Sequence, residues 1–563
     1  MPVMEATSPS LLTHDGERWV WLGGYESRHL PKSAGFYWDK GKSQWWTEKN
    51  ENAAKLVRFA DSMFRDQLIS VANEKAERLR ASRALTSDAN IPCPAGCEFM
   101  PFQRAGIAFA LQRDATLIGD EMGLGKTLQA IGVINADPAI ERVLILCPSS
   151  LKLNWRREST KWLVRKFSIG IVSGDWFPVS CGMVICNYDV LTRHAAKIRA
   201  VNWDLVIMDE AHYLKNGKAL RTRMALGDWD YAAKAWKTEP IQADRRILMT
   251  GTPITNRPIE LWPLIHYLDP DTWDNFFRFA HRYCGAKRGR FGFEAKGANN
   301  LGELQEKLRS TIMLRRLKRD VLTELPPKRR QVLAVERSDL SELIERERKT
   351  WDASRKRIAE ARSAVALCNA SADPKEYERA VAQLRKAEGI AFQEIARERH
   401  NLALAKLPDL IDHLRESVES SVPVVCFVHH KDMVDAICAA FPKESVRLTG
   451  DQGIEERQRN VDRFQTDERI NLFVGTIMAA GVGITLTRAS HVVFGELDWV
   501  PGNLTQAEDR CHRIGQRDSV LVQHLVVDGS LDAKMADILV KKQDVIDAAL
   551  DDAPLIDVWS ESL

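Results

Sequence analysis

The chain has 563 residues, of which 45% are hydrophobic and 28% charged, and a formal net charge of +3. This length predicts several domains, each able to bury its own core, and the composition is that of a globular protein. The sequence has neither an apolar run of the ~18 residues that a membrane span requires nor a signal-peptide pattern, so we expect a cytoplasmic or nucleoid-associated protein with no membrane partner. Because the net charge is small, any nucleic-acid site must be a local basic surface.

The front of the chain is rich in tryptophan. Residues 1–14 carry no structural signal and are predicted to be disordered. In residues 15–60, the turn Asp39-Lys40-Gly41-Lys42 between short apolar runs predicts a hairpin within a small α+β module. The aromatic rings of this module could stack on bases, or they could form the core that so small a domain needs; the sequence leaves both roles open. Residues 61–97 are predicted to be a charged helix and a linker. The tryptophans of the module are Trp19, Trp21, Trp38, Trp45 and Trp46.

Ten cysteines are scattered along the chain. Cys147, Cys186 and Cys426 lie within apolar runs, which favours buried, reduced thiols over a disulfide framework. Cys93 and Cys97 have no second pair at the spacing of metal ligands, so this segment is predicted to be a loop rather than a zinc site.

The stretch Asp120-Glu121-Met122-Gly123-Leu124-Gly125-Lys126-Thr127 follows a short apolar run and precedes a helix-like run. Strand, glycine-bearing loop, Gly-Lys-Thr and helix form the layout of a phosphate-binding loop. Glycines let backbone N–H groups face the phosphates, and the helix N-terminus adds its positive dipole end. Lys126 is expected to reach the β- and γ-phosphates of ATP, and Thr127 to hold Mg²⁺. Asp120 stands where the common pattern has its first glycine.

From residue 98 to residue 333 the pattern alternates strand, loop and helix, which predicts a parallel sheet with helices on both faces. Ligands bind at the carboxyl ends of the strands in such sheets. Asp209 and Glu210 stand at one of these ends, where Asp209 is placed to bind Mg²⁺ and Glu210 to deprotonate the attacking water. The predicted strands are Thr116–Gly119, Arg142–Cys147, Met183–Cys186, Leu205–Met208 and Arg246–Met249.

A second α/β unit is predicted over residues 415–529, and it contains two further motifs. They are Gly475-Thr476-Ile477-Met478-Ala479-Ala480-Gly481-Val482-Gly483-Ile484-Thr485-Leu486 and Gln506-Ala507-Glu508-Asp509-Arg510-Cys511-His512-Arg513-Ile514-Gly515-Gln516. Together with the phosphate-binding loop and Asp209-Glu210-Ala211-His212, these motifs resemble the Swi/Snf-type DEAH-box ATPases of helicase superfamily two. The resemblance covers about residues 98–545. It implies an α/β fold of two tandem RecA-like lobes, and Asp120 is typical of that family. The predicted strands of the second lobe are Val424–Val428, Ser445–Leu448, Asn471–Gly475, His491–Phe494 and Val520–Val526.

The resemblance also implies roles for individual residues in binding and hydrolysing ATP. Gln103 would read the adenine edge, and Arg510 and Arg513 would reach from the second lobe to the γ-phosphate. Because Lys126 and Arg513 lie on different lobes, hydrolysis would depend on lobe closure. The other nucleotide-binding positions are Asp120, Gly123, Gly125, Thr127, Gly483 and Gln506. Coupling between the ATP site and the nucleic-acid site would involve His212, Thr250, Gly251 and Thr252.

A nucleic-acid track is expected across both lobes, in which hydroxyl, amide and backbone groups contact phosphates without reading the base sequence. Its candidates in the first lobe are Ser149, Ser150, Lys152, Asn154, Asn187 and Tyr188. Those in the second lobe are His429, His430, Lys431, Thr476 and Thr485.

Two helical insertions are predicted, one at residues 257–319 within the first lobe and one at residues 338–414. The second reads as a helical hairpin broken near Ala372-Asp373-Pro374. The resemblance implies that both are protrusions that grip duplex DNA. Residues 530–550 are predicted to form a brace helix, and residues 551–563 a loose acidic tail.

The front module, over residues 15–60 only, resembles the accessory modules of the HepA-related annealing-helicase branch. The expected function is therefore that of a monomeric, DNA-stimulated ATP hydrolase that uses ATP and Mg²⁺ to translocate on double-stranded or forked DNA, remodelling forks or annealing strands in repair or replication. The alternatives are a strand-separating helicase, an ATP-gated DNA clamp without turnover and an RNA-directed motor. The presence of Lys126, Glu210 and Arg513 argues against the clamp.

Overall fold

The computed structural model describes residues 11–230, 235–251, 257–289, 292–295, 297–322, 324–368, 374–480 and 483–537. The chain divides into two compact units. The front unit contains residues 11–84 and 305–314, and the second unit contains residues 85–304 and those from 315 onward. Within the described part, no helix combines the length and the apolar character that crossing a bilayer demands.

The front unit is built on an antiparallel sheet, and the predicted hairpin and long charged helix are confirmed. The prediction of disorder up to residue 14 is wrong for Leu12–His14, because Leu12 is fully buried in the core and its strand pairs with Trp19–Trp21. In order of pairing, the strands are Leu12–His14, Trp19–Trp21, Gln44–Thr47 and Tyr37–Asp39. The α-helices are His29–Ala34, Asn50–Ala54 and Ser62–Arg83, with 3₁₀ turns at Tyr25–Ser27 and Val57–Phe59.

The aromatic side chains of the front unit divide into buried and exposed groups. Trp19 and Trp21 are 1% exposed and lie in the hydrophobic core, which confirms the structural role for these two rings. Tyr25 is 78% exposed, and Tyr37 and Trp38 are about half exposed. Base stacking therefore stays a prediction for the exposed rings alone.

A segment distant in sequence completes the front unit. It contains the end of the helix Leu301–Thr311 and the strand Met313–Leu314. Ser82 Oγ donates a hydrogen bond of 2.7 Å to the carbonyl of Met313, and Lys75 pairs with Glu306 at 2.6 Å. The unit thus depends on residues that the sequence assigned to an insertion of the first lobe.

The second unit contains two parallel sheets, the first of which holds all five strands predicted for the first lobe. The strands are nearly continuous runs of Val, Ile, Leu and Met that are buried on both faces, as expected for a parallel sheet between helices. In order of pairing, they are Ala115–Ile118, Ala243–Met249, Trp203–Asp209, Val143–Cys147, Met183–Asn187 and Ile169–Ile171. The α-helices of this lobe are Pro101–Leu111, Lys126–Ala136, Lys152–Trp162, Leu191–Arg199 and Leu220–Leu226.

The segment predicted as a helical insertion at residues 257–319 is not purely helical. It holds the helices Trp262–Leu268, Phe276–Tyr283 and Lys318–Val321, but also an antiparallel hairpin of Lys287–Gly289 with Gly292–Glu294. A second small hairpin joins Asp228–Asp230 to Ala235–Thr238.

The second sheet holds all five strands predicted for the second lobe and one that was assigned to the first. The first-lobe boundary predicted at residue 333 is wrong, because Lys328–Val335 pairs in parallel with Val520–Val527 at the edge of the second sheet. In order of pairing, the strands are Lys328–Val335, Val520–Val527, His491–Phe494, Val424–Val428, Leu472–Thr476 and Ser445–Leu448. The α-helices are Lys431–Ala440, Ile454–Thr466, Ile477–Ala480 and Pro501–Glu508.

The predicted helical hairpin at residues 338–414 is confirmed as the helices Ser341–Cys368 and Pro374–Ala405. The predicted break lies partly outside the described residues. A third helix, Leu407–Glu419, follows, and its buried Leu410 and Leu414 belong to the core of the second lobe. Of the predicted brace helix, only the part up to residue 537 is described, and residues 531–537 are helical. The predicted acidic tail lies outside the described residues.

All ten cysteines are free thiols, and Cys147, Cys186 and Cys426 are buried as predicted. Cys93 Sγ donates to the carbonyl of Cys97 at 3.0 Å within a loop.

Candidate ATP site between two lobes

The phosphate-binding loop joins the strand Ala115–Ile118 to the helix that Lys126 begins. Gly123 and Gly125 have φ values of +86° and +74°, a region that side-chain-bearing residues rarely adopt, so the loop needs glycine at both positions. Lys126 Nζ donates to the carbonyls of Asp120 at 2.9 Å and Glu121 at 3.3 Å. Burial lowers the pKa of this ammonium, while nearby Glu210, Asp120 and Asp209 act in the opposite direction.

Asp120 anchors the loop from within the protein. Its carboxylate is fully buried and accepts hydrogen bonds from Gln129 Nε2 at 2.8 Å and from Arg316 Nη2 at 2.5 Å. Arg316 also donates to the carbonyl of Phe102 and to Gln129. Asp120 therefore orders the loop through a buried ion pair and presents no exposed oxygen to a nucleotide.

Gln103 lies against the loop at its other side. It is 1% exposed; its Oε1 accepts from the N–H of Met100, and its Nε2 donates to the carbonyl of Leu124 at 3.3 Å. A Cβ at Gly125 would collide with Gln103 Nε2. The side chain thus caps the helix Pro101–Leu111 and supports the loop, and its contact with adenine stays a prediction.

Asp209 ends the central strand Trp203–Asp209 and is held by two hydrogen bonds. Trp155 Nε1 donates to Oδ2 and the N–H of Glu210 donates to Oδ1, each at 2.9 Å. Tyr188 donates its hydroxyl to the carbonyl of Asp209 at 2.7 Å. Burial, with Glu210 beside it, raises the pKa of Asp209 above its ordinary value. A divalent cation would stabilise the ionised form, so this carboxylate fits the Mg²⁺ role predicted for it, while the role of Thr127 stays a prediction.

Glu210 turns away from the strand into the site. Its φ is +50°, and its buried Oε2 lies 3.3 Å from His212 Nδ1 while making no hydrogen bond to the described residues. Burial alone would raise the pKa of Glu210, but His212, Lys126 and Arg510 together lower it. The carboxylate is therefore ionised near neutral pH and has an oxygen that can accept a proton from water.

The described residues among those predicted to couple the two sites lie near this carboxylate. Thr250 Oγ1 is 3.4 Å from His212 Nδ1, so the end of the strand Ala243–Met249 is connected to Glu210. A Cβ at Gly251 would lie 3.4 Å from Lys126 Nζ, and Arg315 Nη1 donates to the carbonyl of Gly251 at 3.3 Å. Thr252 lies outside the described residues.

Arg510 and Arg513 approach this site from the second lobe. Arg510 is buried, which lowers the pKa of its guanidinium, and its charge interacts with those of Glu210 and Asp209. A Cβ at Gly123 would lie 3.0 Å from Arg513 Cβ, so Arg513 reaches the phosphate loop itself. Arg513 Nη1 donates to the carbonyl of Ile484 at 3.1 Å and to Thr485 Oγ1 at 3.0 Å.

The two residues before Arg510 belong to a buried ionic cluster that the sequence did not indicate. Lys318 Nζ pairs with Asp509 at 2.9 Å, and Lys328 Nζ pairs with Glu508 at 2.8 Å and with Asp509 at 3.1 Å. Arg330 Nη2 pairs with Glu508 at 2.6 Å. Burial would raise the pKa of Glu508, but Lys328 and Arg330 lower it to about 2.

Two other positions that were predicted to bind nucleotide, Gly483 and Gln506, lie where the lobes meet. A Cβ at Gly483 would collide with Leu151, so Gly483 permits a close approach of the lobes at that point. Gln506 lines an open cavity of about 250 Å³ that includes residues of both lobes. The other lining residues are His212, Tyr213, Lys215, Arg221, Ile477, Met478 and Asn503.

Some DNA-contact candidates of the first lobe are accessible, whereas others are hydrogen-bonded within the protein. Ser149, Ser150 and Asn154 are partly exposed at the start of the helix after Val143–Cys147. Lys152 Nζ donates to the carbonyl of Val172 at 3.2 Å. Asn187 is buried and donates to Asp189. The prediction for Tyr188 is wrong for its side chain, because the buried phenol is bonded to Asp209.

In the second lobe, the Glu496 carboxylate is hydrogen-bonded to both candidate histidines, His429 and His430. Glu496 Oε2 accepts from the N–H groups of His429 and His430, and Glu496 Oε1 lies 2.6 Å from His430 Nδ1. The ring of His429 and the side chain of Lys431 remain exposed. Thr476 is buried, and Thr485 is bonded to Arg513. The predicted contacts of Thr476 and Thr485 with DNA are therefore not supported by their surroundings.

Two family models match the chain. The SNF2-related domain matches residues 102–376, and the helicase conserved C-terminal domain matches residues 404–515. The chain therefore contains an SNF2-related domain followed by a helicase conserved C-terminal domain. This confirms the family resemblance carried by the sequence motifs, with an ATP-binding lobe followed by a helicase C-terminal lobe.

Curated relatives of the family carry names from chromatin and DNA metabolism. The chain is 36% identical over 460 residues to a Caenorhabditis elegans protein named SWI/SNF-related matrix-associated actin-dependent regulator of chromatin subfamily A-like protein 1 homolog, covering 79% of this chain and 61% of that protein. It is 35% identical over 473 residues to the human DNA annealing helicase and endonuclease ZRANB3, covering 80% of this chain and 40% of that protein. The chain thus spans less than two thirds of each relative. A solved Sulfolobus solfataricus SWI2/SNF2 ATPase core in complex with double-stranded DNA matches at 21% identity and a TM-score of 0.38, covering 84% of this chain and 96% of that one.

Proposed function

We propose that the chain is a DNA-stimulated ATP hydrolase that moves along double-stranded DNA and remodels forks or anneals strands. The observation that carries this proposal is one buried site formed by both lobes, in which Lys126 and Glu210 face Arg510. The relatives named for DNA annealing support DNA as the track. One chain supplies both lobes of the site, which supports a monomeric motor acting where ATP and duplex DNA are available, in the cytoplasm or nucleoid.

The residues of the site suit the reaction of ATP with water to give ADP and phosphate. Glu210 would take a proton from the attacking water, and the cationic groups of Lys126 and Arg513 would neutralise charge on the γ-phosphate. Thr127 and Asp209 would hold Mg²⁺, which when bound lowers the charge on the β- and γ-phosphates. The hydrogen bond from Trp155 Nε1 holds the Asp209 carboxylate in one orientation.

The placement of the groups makes hydrolysis depend on how the lobes meet. The phosphate loop and Glu210 belong to the first lobe, whereas Arg510 and Arg513 follow the helix Pro501–Glu508 of the second. Closing the lobes completes the site, and opening them separates it after hydrolysis. Repeated closure on bound DNA would move the two lobes along the duplex in steps.

The first experiment measures ATP hydrolysis with single-stranded, duplex and forked DNA and with duplex RNA. We expect the greatest stimulation with duplex or forked DNA, and a Lys126→Ala variant, which loses the phosphate-loop ammonium, should show none. Stronger stimulation by duplex RNA would contradict a DNA motor and support the RNA-directed alternative. DNA binding without any turnover would support the clamp.

The second experiment separates translocation from strand separation. A translocase displaces the third strand of a triplex placed in its path without unwinding the duplex, whereas a strand-separating helicase unwinds a tailed duplex. We expect ATP-dependent triplex displacement and re-annealing of complementary strands. Unwinding of the tailed duplex without triplex displacement would contradict the translocase proposal.

A further inference from the structure

Lys318 lies where the phosphate loop meets the segment that carries Arg510 and Arg513. Its backbone N–H donates to Glu121 Oε2 of the loop at 2.7 Å. Its side chain pairs with Asp509 at 2.9 Å and donates to the carbonyl of His512 at 2.8 Å. Asp509 and His512 each immediately precede one of the two arginines. One residue is therefore bonded through its main chain to the loop and through its side chain to the arginine segment.

Several hydrogen bonds attach the main chain around Lys318 to the phosphate loop. The N–H of Glu121 donates to the carbonyl of Arg316 at 3.0 Å, and the N–H of Arg316 donates to Asp120 Oδ1 at 3.0 Å. With the bond from Lys318 to Glu121, residues 316–318 and 120–121 form a continuous set of reciprocal hydrogen bonds. A movement of the phosphate loop would consequently carry Lys318 with it.

The side-chain end of the connection can be broken without stranding a charge. The side chains of Lys318 and Asp509 are 6% and 3% exposed, and breaking a buried pair is costly when one partner loses its counter-charge. Asp509, however, has a second partner, Lys328, which lies on a strand of the second sheet. If the lobes separate, Asp509 keeps Lys328 while Lys318 returns to solvent.

Lys318 and Arg513 also converge on the same glycine. A Cβ at Gly123 would lie 3.3 Å from Lys318 Cε and 3.0 Å from Arg513 Cβ. The backbone of Gly123 is thus in close contact with both side chains. A shift of the loop when phosphates enter it would act on Lys318 and Arg513 together.

We propose that Lys318 is a positioning residue that sets Arg510 and Arg513 against the phosphate loop when the lobes close. It acts through these arginines and not on ATP itself. This inference rests on the proposed ATP hydrolysis and adds a residue that none of the sequence motifs contained.

The test combines Lys318→Met, which keeps the chain length and removes the charge, with Arg513→Ala. Alone, Lys318→Met should lower kcat of DNA-stimulated hydrolysis at least about tenfold and leave KM for ATP within about twofold, because binding to the loop is unchanged. In the Arg513→Ala background the same substitution should cost clearly less than it does alone, because residues that act as a unit are not additive and only the effect through Arg510 remains. Loss of packing alone would not produce this non-additivity.

The matched control is Arg329→Met, which removes one positive charge from an exposed residue on the strand Lys328–Val335 and should leave kcat unchanged. Equal losses from Lys318→Met in both backgrounds, or an unchanged kcat, would overturn the inference. Thermal unfolding reports whether the variant folds; if it does not, Asp509→Asn, which keeps the side-chain shape, takes its place in the same comparison. A wild-type chain without DNA-stimulated hydrolysis would instead contradict the proposed function.

Discussion

At the scale of single residues, the site depends on a carboxylate in an uncommon backbone conformation. Glu210, at φ +50°, lies in the left-handed region, which costs on the order of 1–3 kcal/mol for residues other than glycine. Two hydrogen bonds at the preceding residue stabilise this conformation. Tyr188 donates to the carbonyl of Asp209, and the Asp209 carboxylate accepts from the N–H of Glu210. The turn places Glu210 beside Lys126 instead of along the strand direction.

Substitution of Glu210 by Gln should separate ATP binding from hydrolysis. The amide keeps the size of the side chain but cannot take a proton from water, so we expect single-turnover hydrolysis to fall by about 10²–10⁴ with nucleotide affinity retained. Asp189→Asn, at an exposed carboxylate just after the strand Met183–Asn187, is the control and should hydrolyse ATP normally. Turnover near the wild-type rate in Glu210→Gln would show that another group activates the water.

The indole of Trp155 should tune the pH dependence of hydrolysis. Trp155→Phe removes the hydrogen bond that lowers the pKa of Asp209, while burial continues to raise it. A lost bond to a buried charge is worth on the order of 1–2 kcal/mol, so the acidic limb of the pH–rate profile should move up by about one unit. Trp162→Phe, on the same helix, is the control. An unshifted acidic limb in Trp155→Phe would remove Asp209 from the rate-controlling ionisation.

Local motifs indicated the candidate residues of the ATP site from the sequence, but not the partners that hold them. Lys126, Asp209 and Glu210 stand in short segments whose strand-to-loop pattern is readable. Asp120 is bonded to Arg316, 196 residues further along the chain, and no local pattern connects them. The prediction for Tyr188 failed because a tyrosine after a strand can face the solvent or the core, and only packing decides which.

At the scale of elements, the helical hairpin is joined to the second lobe through a buried carboxylate. Glu347, on the helix Ser341–Cys368, accepts a hydrogen bond of 2.8 Å from the N–H of Leu531. Burial raises the pKa of Glu347 to about 7, with Asp532 adding to the effect. The hairpin contact is thus most stable when this carboxyl group is protonated.

This contact should weaken as the pH rises. A carboxyl whose pKa is about 7 when folded and 4.5 when unfolded contributes stability that is full below pH 4.5 and is lost as the pH rises through 7. Glu347→Gln mimics the protonated form, so its thermal midpoint should rise relative to that of wild type between pH 5 and pH 8. The corresponding gain in the free energy of unfolding is up to about 3 kcal/mol. Glu342→Gln, exposed on the same helix, should show no such trend. A constant difference between Glu347→Gln and wild type across this range would contradict the raised pKa.

The strands that the sequence predicted are the ones with an unmistakable hydrophobic pattern. Val424–Val428 and Val143–Cys147 are continuous apolar runs, as buried parallel strands require. Lys328–Val335 begins with three basic residues and is half exposed along its length, so it resembled the end of the preceding lobe. Its place at a sheet edge explains both the charge and the error.

At the scale of the whole molecule, the front unit carries exposed aromatic rings, whereas all residues of the candidate ATP site belong to the second unit. A shortened chain that starts after residue 84 would leave residues 305–314 without their packing partners, so substitution is a cleaner test than truncation. Tyr25, Tyr37 and Trp38 are exposed, whereas Trp19 and Trp21 form the core. The two groups can therefore be changed separately.

Replacing Tyr25, Tyr37 and Trp38 by Ala should remove a preference for forked over plain duplex DNA while sparing duplex-stimulated hydrolysis. Base stacking is worth about 1–3 kcal/mol per base, so affinity for forks should fall at least about fivefold. Trp176→Ala, at an exposed tryptophan of the second unit, is the control for losing a surface ring. Full fork preference in the triple variant, measured by competition binding, would contradict a role of these three rings in binding forks.

The two strands paired at the edge of the second sheet are far apart in sequence, so they are synthesised at different times. Lys328–Val335 and Val520–Val527 are neighbours, and Gln331 and Gln523, which are 192 residues apart, share a hydrogen bond. At the usual ribosomal speed of about 5–20 residues per second, the first strand waits roughly 10–40 seconds for its partner. During that interval its Lys328, Arg329 and Arg330 protect an unpaired edge from joining other nascent chains, because charge on an edge strand discourages such pairing. Lys328 and Arg330 would then serve twice, first in the nascent chain and later as counter-charges to Glu508 and Asp509.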